Sequence, residues 1–301
     1  MGQTLYWMGQ FMPAQTHLEL SCSLYDPARD PSHAVPSFGF CKGVHSLVFS
    51  GFSSWHLGFP HQGRDRVEQA LSLARQQSDP FCLCLALACS SHADHLRGET
   101  IAASKFADAM FQLAHEQGFQ GFSAMATALR GAALVAGGHA EEGITQLRGG
   151  LDHSAGAFEV MRTLFLAYLA VGYGLVGRVD EGLAVLAEAM ALVESTGVCI
   201  YEAELYRIKG ELTRKRSETN SNSEIKEEAE SFFRQAIEVA RRQSAKSWEL
   251  RATMSLARLR DKQGRREDAR AMLAGIYGWF TEGFDTADLK DAKALLDELG
   301  T

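Results

Sequence analysis

Two stretches of this sequence combine residue types and spacings that could do chemistry. The first is Gly138-His139-Ala140-Glu141-Glu142-Gly143, two glycines with four residues between them, which is how a phosphate-binding loop begins. Such a loop continues with Lys and then Ser or Thr, because the lysine reaches the phosphates and the hydroxyl holds magnesium, and it follows a strand. Here Ile144 and Thr145 follow Gly143, no lysine is present, and the preceding segment has the pattern of a helix. Glu141 and Glu142 would repel a phosphate but suit the start of a helix, where the dipole favours acids. The second stretch places Cys89, His92 and His95 at every third position with Asp94 between them. One helix face could offer these as metal ligands. No second ligand cluster accompanies them, so the alternative is a helix whose histidines are simply polar and partly exposed. Nucleophile-elbow and zinc-protease motifs are missing, as is a recognised catalytic cysteine context. The expectation is a chain without catalytic residues or cofactor, with Cys89, His92 and His95 as a weak metal candidate.

Bulk composition fits that expectation. The 301 residues are 46% hydrophobic and 22% charged, values of an ordinary folded chain. A formal charge of −7 argues against a nucleic-acid partner bound over the whole surface, which would want a basic face. Of the six cysteines, none forms a CxxC pair, and Cys82, Cys84 and Cys89 sit in the apolar run PFCLCLALACS, where thiols act as small hydrophobes. That usage predicts a reducing, cytoplasmic compartment. The N-terminus lacks the basic-then-apolar pattern of a signal peptide. The most membrane-like run, 164–177, is too short to span a bilayer, so no membrane partner is expected.

Behind the first glycine pair lies a repeat. Gly58 is followed by Gly63, Gly98 by Ala103, Gly138 by Gly143, Gly177 by Gly182 and Gly264 by Ala269; Ala229 opens a sixth copy without its first glycine. The second small residues fall at 63, 103, 143, 182, 229 and 269, a period of about 40 with one longer interval. The polar stretch SETNSNSEIKEE (217–228) fills the longer interval and is expected to be an inserted loop. Four residues beyond each small residue stands an apolar one, namely Val67, Ala107, Leu147, Leu186, Phe233 and Leu273. Further apolar residues at eight beyond complete one helix face. Twelve residues before the small residue is another small one, Gly51, Ser91, Gly131, Ala170 or Ala257, with Gly210 in the longer unit.

Each unit therefore predicts a helix, a tight turn and a second helix. First helices are expected near 42–57, 80–97, 121–136, 159–176, 200–215 and 247–262. Second helices are expected near 62–77, 100–117, 140–154, 179–195, 224–242 and 266–281, and a closing helix near 286–299. The organisation is a single domain over 1–301. It comprises a partial first repeat (1–25), repeats at 36–78, 79–118, 119–156, 157–198, 199–244 and 245–283, and a capping helix at 284–301.

Small residues twelve apart, a turn glycine between them and small or apolar residues further on resemble the tetratricopeptide repeat (TPR), in a form longer than the standard 34 residues. The resemblance implies an all-α fold, a right-handed α-solenoid of about six to seven TPR-like hairpins with a C-terminal cap. YEAELYRIKGEL (201–212), AKSWELRATMSLARL (245–259) and GWFTEGFDTADLKDAKALLDEL (278–299) are similar to the C-terminal repeats of bacterial signalling proteins. In those proteins a class III adenylate/guanylate cyclase or a transcriptional-activator domain, and an AAA/STAND-type ATPase, come first. No cyclase or ATPase segment is present in these 301 residues. The resemblance implies a non-catalytic protein-interaction or ligand-sensing module. The alternative is that the chain is the C-terminal part of such a cyclase or regulator.

In a solenoid of this type the first helices line the concave side. Counting from the small residues, the inward positions run from Phe52, Trp55, His56, His92 and His95, through Met125, Val135, Leu164 and Val171, to Arg207, Arg214, Lys215, Arg251, Arg258 and Lys262. The late basic set suggests a protein or peptide partner with acidic or phosphorylated groups. Glu204 and Glu211, at helical spacing from Arg207 and Arg214, allow the other reading, a solvated face of intrahelical pairs. Phe52 and Trp55 could bind a partner or pack under the segment 26–35. The partner's identity and the oligomeric state are not legible.

Overall fold

The computed structural model describes residues 1–26, 41–153, 159–220 and 223–300, and among these no strand occurs. The helices pair in sequence order. α1 (Gly2–Trp7) and α2 (Phe11–Leu24) form a short first hairpin, followed by α3 (Lys42–His56) with α4 (Pro60–Gln77) and α5 (Pro80–Arg97) with α6 (Thr100–Gln117). α7 (Gln120–Ala136) pairs with α8 (Ala140–His153), α9 (Arg162–Leu175) with α10 (Val179–Thr196), α11 (Glu202–Asn220) with α12 (Ser223–Arg242), and α13 (Lys246–Lys262) with α14 (Arg266–Tyr277). α15 (Ala287–Gly300) ends the stack, burying Leu289, Ala292, Leu295 and Leu299 along one face. No helix among the described residues is long and apolar enough to cross a membrane.

The periodic code is what places the two helices of each hairpin. α8 buries Gly143, Ile144, Leu147, Gly150 and Leu151, and α4 buries Gly63, Val67, Ala70, Leu71 and Ala74, a narrow stripe on an otherwise solvated helix. The first helices are covered on more sides, as in α9, where nearly every residue from Thr163 to Gly174 is buried. The glycines permit the contact between the two. A Cβ on Gly143 would lie 2.7 Å from the Gly131 carbonyl oxygen and 2.6 Å from Val135 Cγ2. The same approach is visible one repeat earlier, where Ser91 Oγ donates to the Ala103 carbonyl at 2.8 Å. Gly138 is the left-handed residue (φ +89°) that reverses the chain between α7 and α8. The glycine pair that resembled a phosphate loop is thus a turn and a packing contact.

The stretch 217–228 differs from its expectation. Rather than forming a loop, its described residues lengthen α11 to Asn220 and begin α12 at Ser223. Glu218 pairs with Arg214 at 2.6 Å, and Glu228 with Arg216 at 3.6 Å. Gly210 still meets the Phe233 ring, so the packing register survives the insertion. The polar composition is compatible with helix, since Glu and Lys are good helix formers, and Glu218, Lys226, Glu227 and Glu228 are exposed on it.

The largest departure from a string of repeats is that the ends meet. Ordinarily each repeat touches only its neighbours. Here Trp248 of α13 packs edge-on against Trp55 of α3 with ring centroids 4.8 Å apart, and Ser247 Oγ donates to the Trp55 carbonyl at 2.5 Å. Arg251 sits over both indoles, 5.2 and 5.1 Å from their centroids, and donates to the Leu96 carbonyl at 2.7 Å. Outside this aromatic seam, Glu282 accepts from the backbone N–H groups of His61 and Gln62 at the start of α4, where a negative charge complements the helix dipole. Asp285 binds the His61 ring at 2.6 Å. Trp7 at the end of α1 accepts from the Cys199 N–H at 2.8 Å. The solenoid closes on itself, and its concave side becomes an interior.

Candidate functional site

That interior is built around a polar cluster within apolar walls. His92 of α5 is buried, and both its ring nitrogens are engaged: Tyr201 OH lies 2.7 Å from Nε2 and Tyr168 OH lies 3.3 Å from Nδ1. Burial, with help from His95 and Arg251, pushes the His92 pKa down to about 3, so the ring is neutral. His56 of α3 is fully buried, stacks on Phe11 at 4.1 Å and meets Tyr6 OH at 3.3 Å. Its pKa also falls well below the ordinary histidine range, chiefly through burial. The tyrosine hydroxyls of 6, 168 and 201 are pushed up by the same desolvation. None of these groups is charged near neutrality, which suits a low-dielectric interior.

Beside this cluster opens a cavity of about 190 Å³ with two unlike walls. Ala132, Val135, Leu164 and Val171 make the apolar wall, and Glu204, Arg207 and Arg251 the charged one, with His95 and Tyr168 at the junction. Arg207 donates twice to Glu204, at 2.7 and 2.6 Å. Burial is the largest single influence and opposes the Arg207 charge, but Glu204, Glu211 and Asp288 together outweigh it and keep the guanidinium pKa raised. Arg251 binds Asp288 at 2.8 Å and lies 4.0 Å from Glu204. The Asp288 carboxyl is raised by its burial, an effect Arg251 only partly offsets. These are charge-assisted bonds in partial burial, the strong kind.

The other inward candidates disperse. Arg214 pairs with Glu211 and Glu218, Lys215 donates to the Gly174 carbonyl, Arg258 binds Asp291 and Lys262 lies 3.6 Å from Glu218. None of these four lines the charged cavity. Each of the six late basic side chains thus has an intramolecular partner. Trp55 and His56 are buried in the closing seam and its neighbourhood, and Phe52 packs on Tyr6 and His92. The segment 26–35 invoked to cover Phe52 and Trp55 lies, beyond Asp26, outside the described residues; what covers Trp55 is Trp248 and Arg251.

The metal candidate does not assemble. His92 spends its nitrogens on two tyrosines, and the His95 ring packs at 4.2 Å on Tyr168. The Cys89 thiol is pushed up to about 12 by burial, far from the thiolate a metal needs. Among the described residues, the group whose ligand atoms converge within 4.8 Å is Cys41, Asp79 and Cys82. There Cys41 and Cys82 form a disulfide, Cα to Cα 5.9 Å, tying the start of α3 to the first turn of α5. Cys82 is therefore not the isolated apolar thiol its surroundings in the sequence suggest. The pairing joins residues 41 positions apart, which no short motif could reveal.

Tyr6, Tyr168, Tyr201 and Trp248 were hidden in the sequence for a similar reason. Each sits in an apolar run or at a helix start and looks like core, which it also is. No family profile matches this chain, and no curated protein matches it. Solved structures do. A Rap protein complexed with Competence and Sporulation Factor superposes with a TM-score of 0.60 at 12% identity, covering 97% of this chain and 79% of that one. A tetratricopeptide repeat protein from Parabacteroides merdae ATCC 43184 superposes with a TM-score of 0.51 at 12% identity, over 100% of this chain and 96% of that one. The fold is a tetratricopeptide-type α-solenoid. Identity this low establishes architecture alone, and architecture does not assign activity.

Proposed function

We propose that this solenoid is a non-catalytic interaction scaffold whose interior, at the Glu204–Arg207–Arg251 cavity, receives a peptide or protein segment. One observation carries the reading: the cavity is lined both by Glu204, Arg207 and Arg251 and by the aliphatic side chains of Ala132, Val135, Leu164 and Val171. A polypeptide segment offers both kinds of complement, apolar side chains for one wall and polar or acidic groups for the other. The basic side chains are already paired, so an acidic group would bind by exchange, displacing Glu204 or Asp288 from its arginine. Such exchange favours specificity over raw affinity. The Rap neighbour, complexed with Competence and Sporulation Factor, supports binding as a use of this architecture.

The role in which this binding serves is the regulatory C-terminal module of a bacterial signalling protein; the Cys41–Cys82 disulfide removes the cysteine-usage argument for a reducing compartment. It rests on the resemblance of 201–212, 245–259 and 278–299. In the second reading the chain is the C-terminal part of a class III cyclase or STAND-type regulator. Sequence upstream of Met1 encoding a cyclase or ATPase in frame would favour that second reading.

The experiment is affinity capture with the wild-type chain, an interior variant (Arg207→Glu with Val171→Glu) and an outer-face control (Arg234→Glu). The proposal expects a partner that the wild type and the control retain and the interior variant loses. Equal capture by all three would contradict it.

A further inference from the structure

A second cavity, of about 300 Å³, shares Tyr201 with the charged one but has a different chemistry. Its floor is Tyr6, Phe52, His92, Met125, Ile200 and Tyr201, all buried. Trp7, Phe81 and Leu85, half-buried, and Val160, exposed, form its rim. No Asp, Glu, Lys or Arg lines it. The groups that could ionise are held neutral: burial takes His45 down to about 4 and His92 to about 3, and lifts the Cys89 thiol to about 12. Hydroxyls on the floor are already spent, Tyr6 on His56 and Tyr201 on His92.

Protein interiors pack to near-crystalline density and tolerate few voids larger than a water molecule. A volume of about 300 Å³ is room for roughly ten waters, and it reaches the lower end of small-molecule sites. Water gains little in it, because beyond the spent tyrosines and His92 the polar side chains of its wall are Gln3, His45 and Cys89. A charged ligand would lose its hydration and find no counter-charge. A ring-bearing neutral ligand would instead find aromatic edges and faces from Trp7, Phe49, Phe52, Phe81 and Phe122. We propose that this cavity is a binding site for a neutral, apolar small molecule carrying one or two aromatic rings. The site is independent of the peptide-binding proposal, since its ligand class and all its lining residues but Tyr201 differ.

The test uses the purified full chain and a matched pair of probes. N-phenyl-1-naphthylamine is neutral, and 8-anilinonaphthalene-1-sulfonate has the same rings plus a negative charge. The neutral probe is expected to bind saturably, one per chain, with a blue shift, and at least tenfold more tightly than the anionic one. Ala88→Phe, which fills the cavity from a buried position on α5, is expected to weaken the neutral probe at least tenfold while circular dichroism keeps its wild-type shape. Leu85→Trp, placed at the half-buried rim, provides the same test if Ala88→Phe does not fold. Absence of saturable binding, equal binding of both probes, or full binding by a folded filled variant would each overturn the proposal.

Discussion

Closure of the solenoid can be measured as a coupling energy between Trp55 and Trp248, which lie in the second and seventh hairpins. Each is buried, at 5% and 2% exposure, so either Trp→Leu change should cost about 2–4 kcal/mol through lost contacts and the space left behind. The single costs do not discriminate, because each indole also packs within its own unit. The double-mutant cycle does. An edge-on aromatic pair contributes about 0.5–1.5 kcal/mol beyond its area. Arg251, shared over both rings, adds a cation–π term of about 0.5–1 kcal/mol that either substitution weakens. The expected coupling is therefore about 1–2.5 kcal/mol, with the double variant less destabilised than the sum of the singles. The assay is urea unfolding of the four proteins followed by far-UV circular dichroism, which does not depend on the tryptophans removed. In an open solenoid these residues never meet and the changes would add. A coupling below about 0.5 kcal/mol, the usual limit of additivity for separate sites, would refute closure through this seam.

Further consequences can be checked with the same unfolding assay. Reducing the Cys41–Cys82 bond should destabilise the chain by up to about 4 kcal/mol, the loop-closure value for a link of this span; a midpoint unmoved by reductant would contradict the pairing. His56 and His92 have folded pKa values depressed by burial, so the unfolded chain binds more protons as the pH falls below about 6.5. Stability is fully present above that pH and declines towards about 3, at up to about 1.4 kcal/mol per pH unit for each ring. Asp94, raised to about 6 chiefly by burial, works in the opposite sense and offsets part of the slope near pH 5. A stability flat between pH 6.5 and 4.5 would show that these rings are not buried neutral. Gly143→Ala should destabilise by about 1–3 kcal/mol, because the new methyl would meet Gly131 and Val135. Gly149→Ala in the same helix meets nothing and should stabilise by about 0.5–1 kcal/mol. Equal effects at the two positions would contradict the packing role of Gly143.

Local features were legible in the sequence. The glycine and apolar spacing is a property of single helices and their immediate neighbours, so the spacing alone assigns Gly51, Gly131 and Leu147 to contacts. Helix ends were less so where composition misled: in the polar stretch 217–228, Glu218, Lys226, Glu227 and Glu228 are exposed while Ser217 is buried, and the backbone is helical all the same in the described residues. Closure was not legible at all. It depends on a small rotation accumulated over seven hairpins, and no residue encodes it alone. That is why Trp55 and His56 passed for groove positions and why the partners of Arg251, on α5 and α15, were invisible. The Glu204–Arg207 and Glu211–Arg214 pairs were visible, being three residues apart on one helix. The interior hydrogen bonds of His92 were not, because Tyr168 and Tyr201 come from other repeats.

Whether binding takes place in the interior is most directly read from hydrogen exchange of the captured complex against the free chain. A segment seated between Glu204, Arg207, Arg251 and Val171 should protect amides of α9, α11 and α13 and leave the outer helices α4, α6, α8 and α10 unchanged. Protection confined to those outer helices, with α11 and α13 exchanging as in the free chain, would contradict the account.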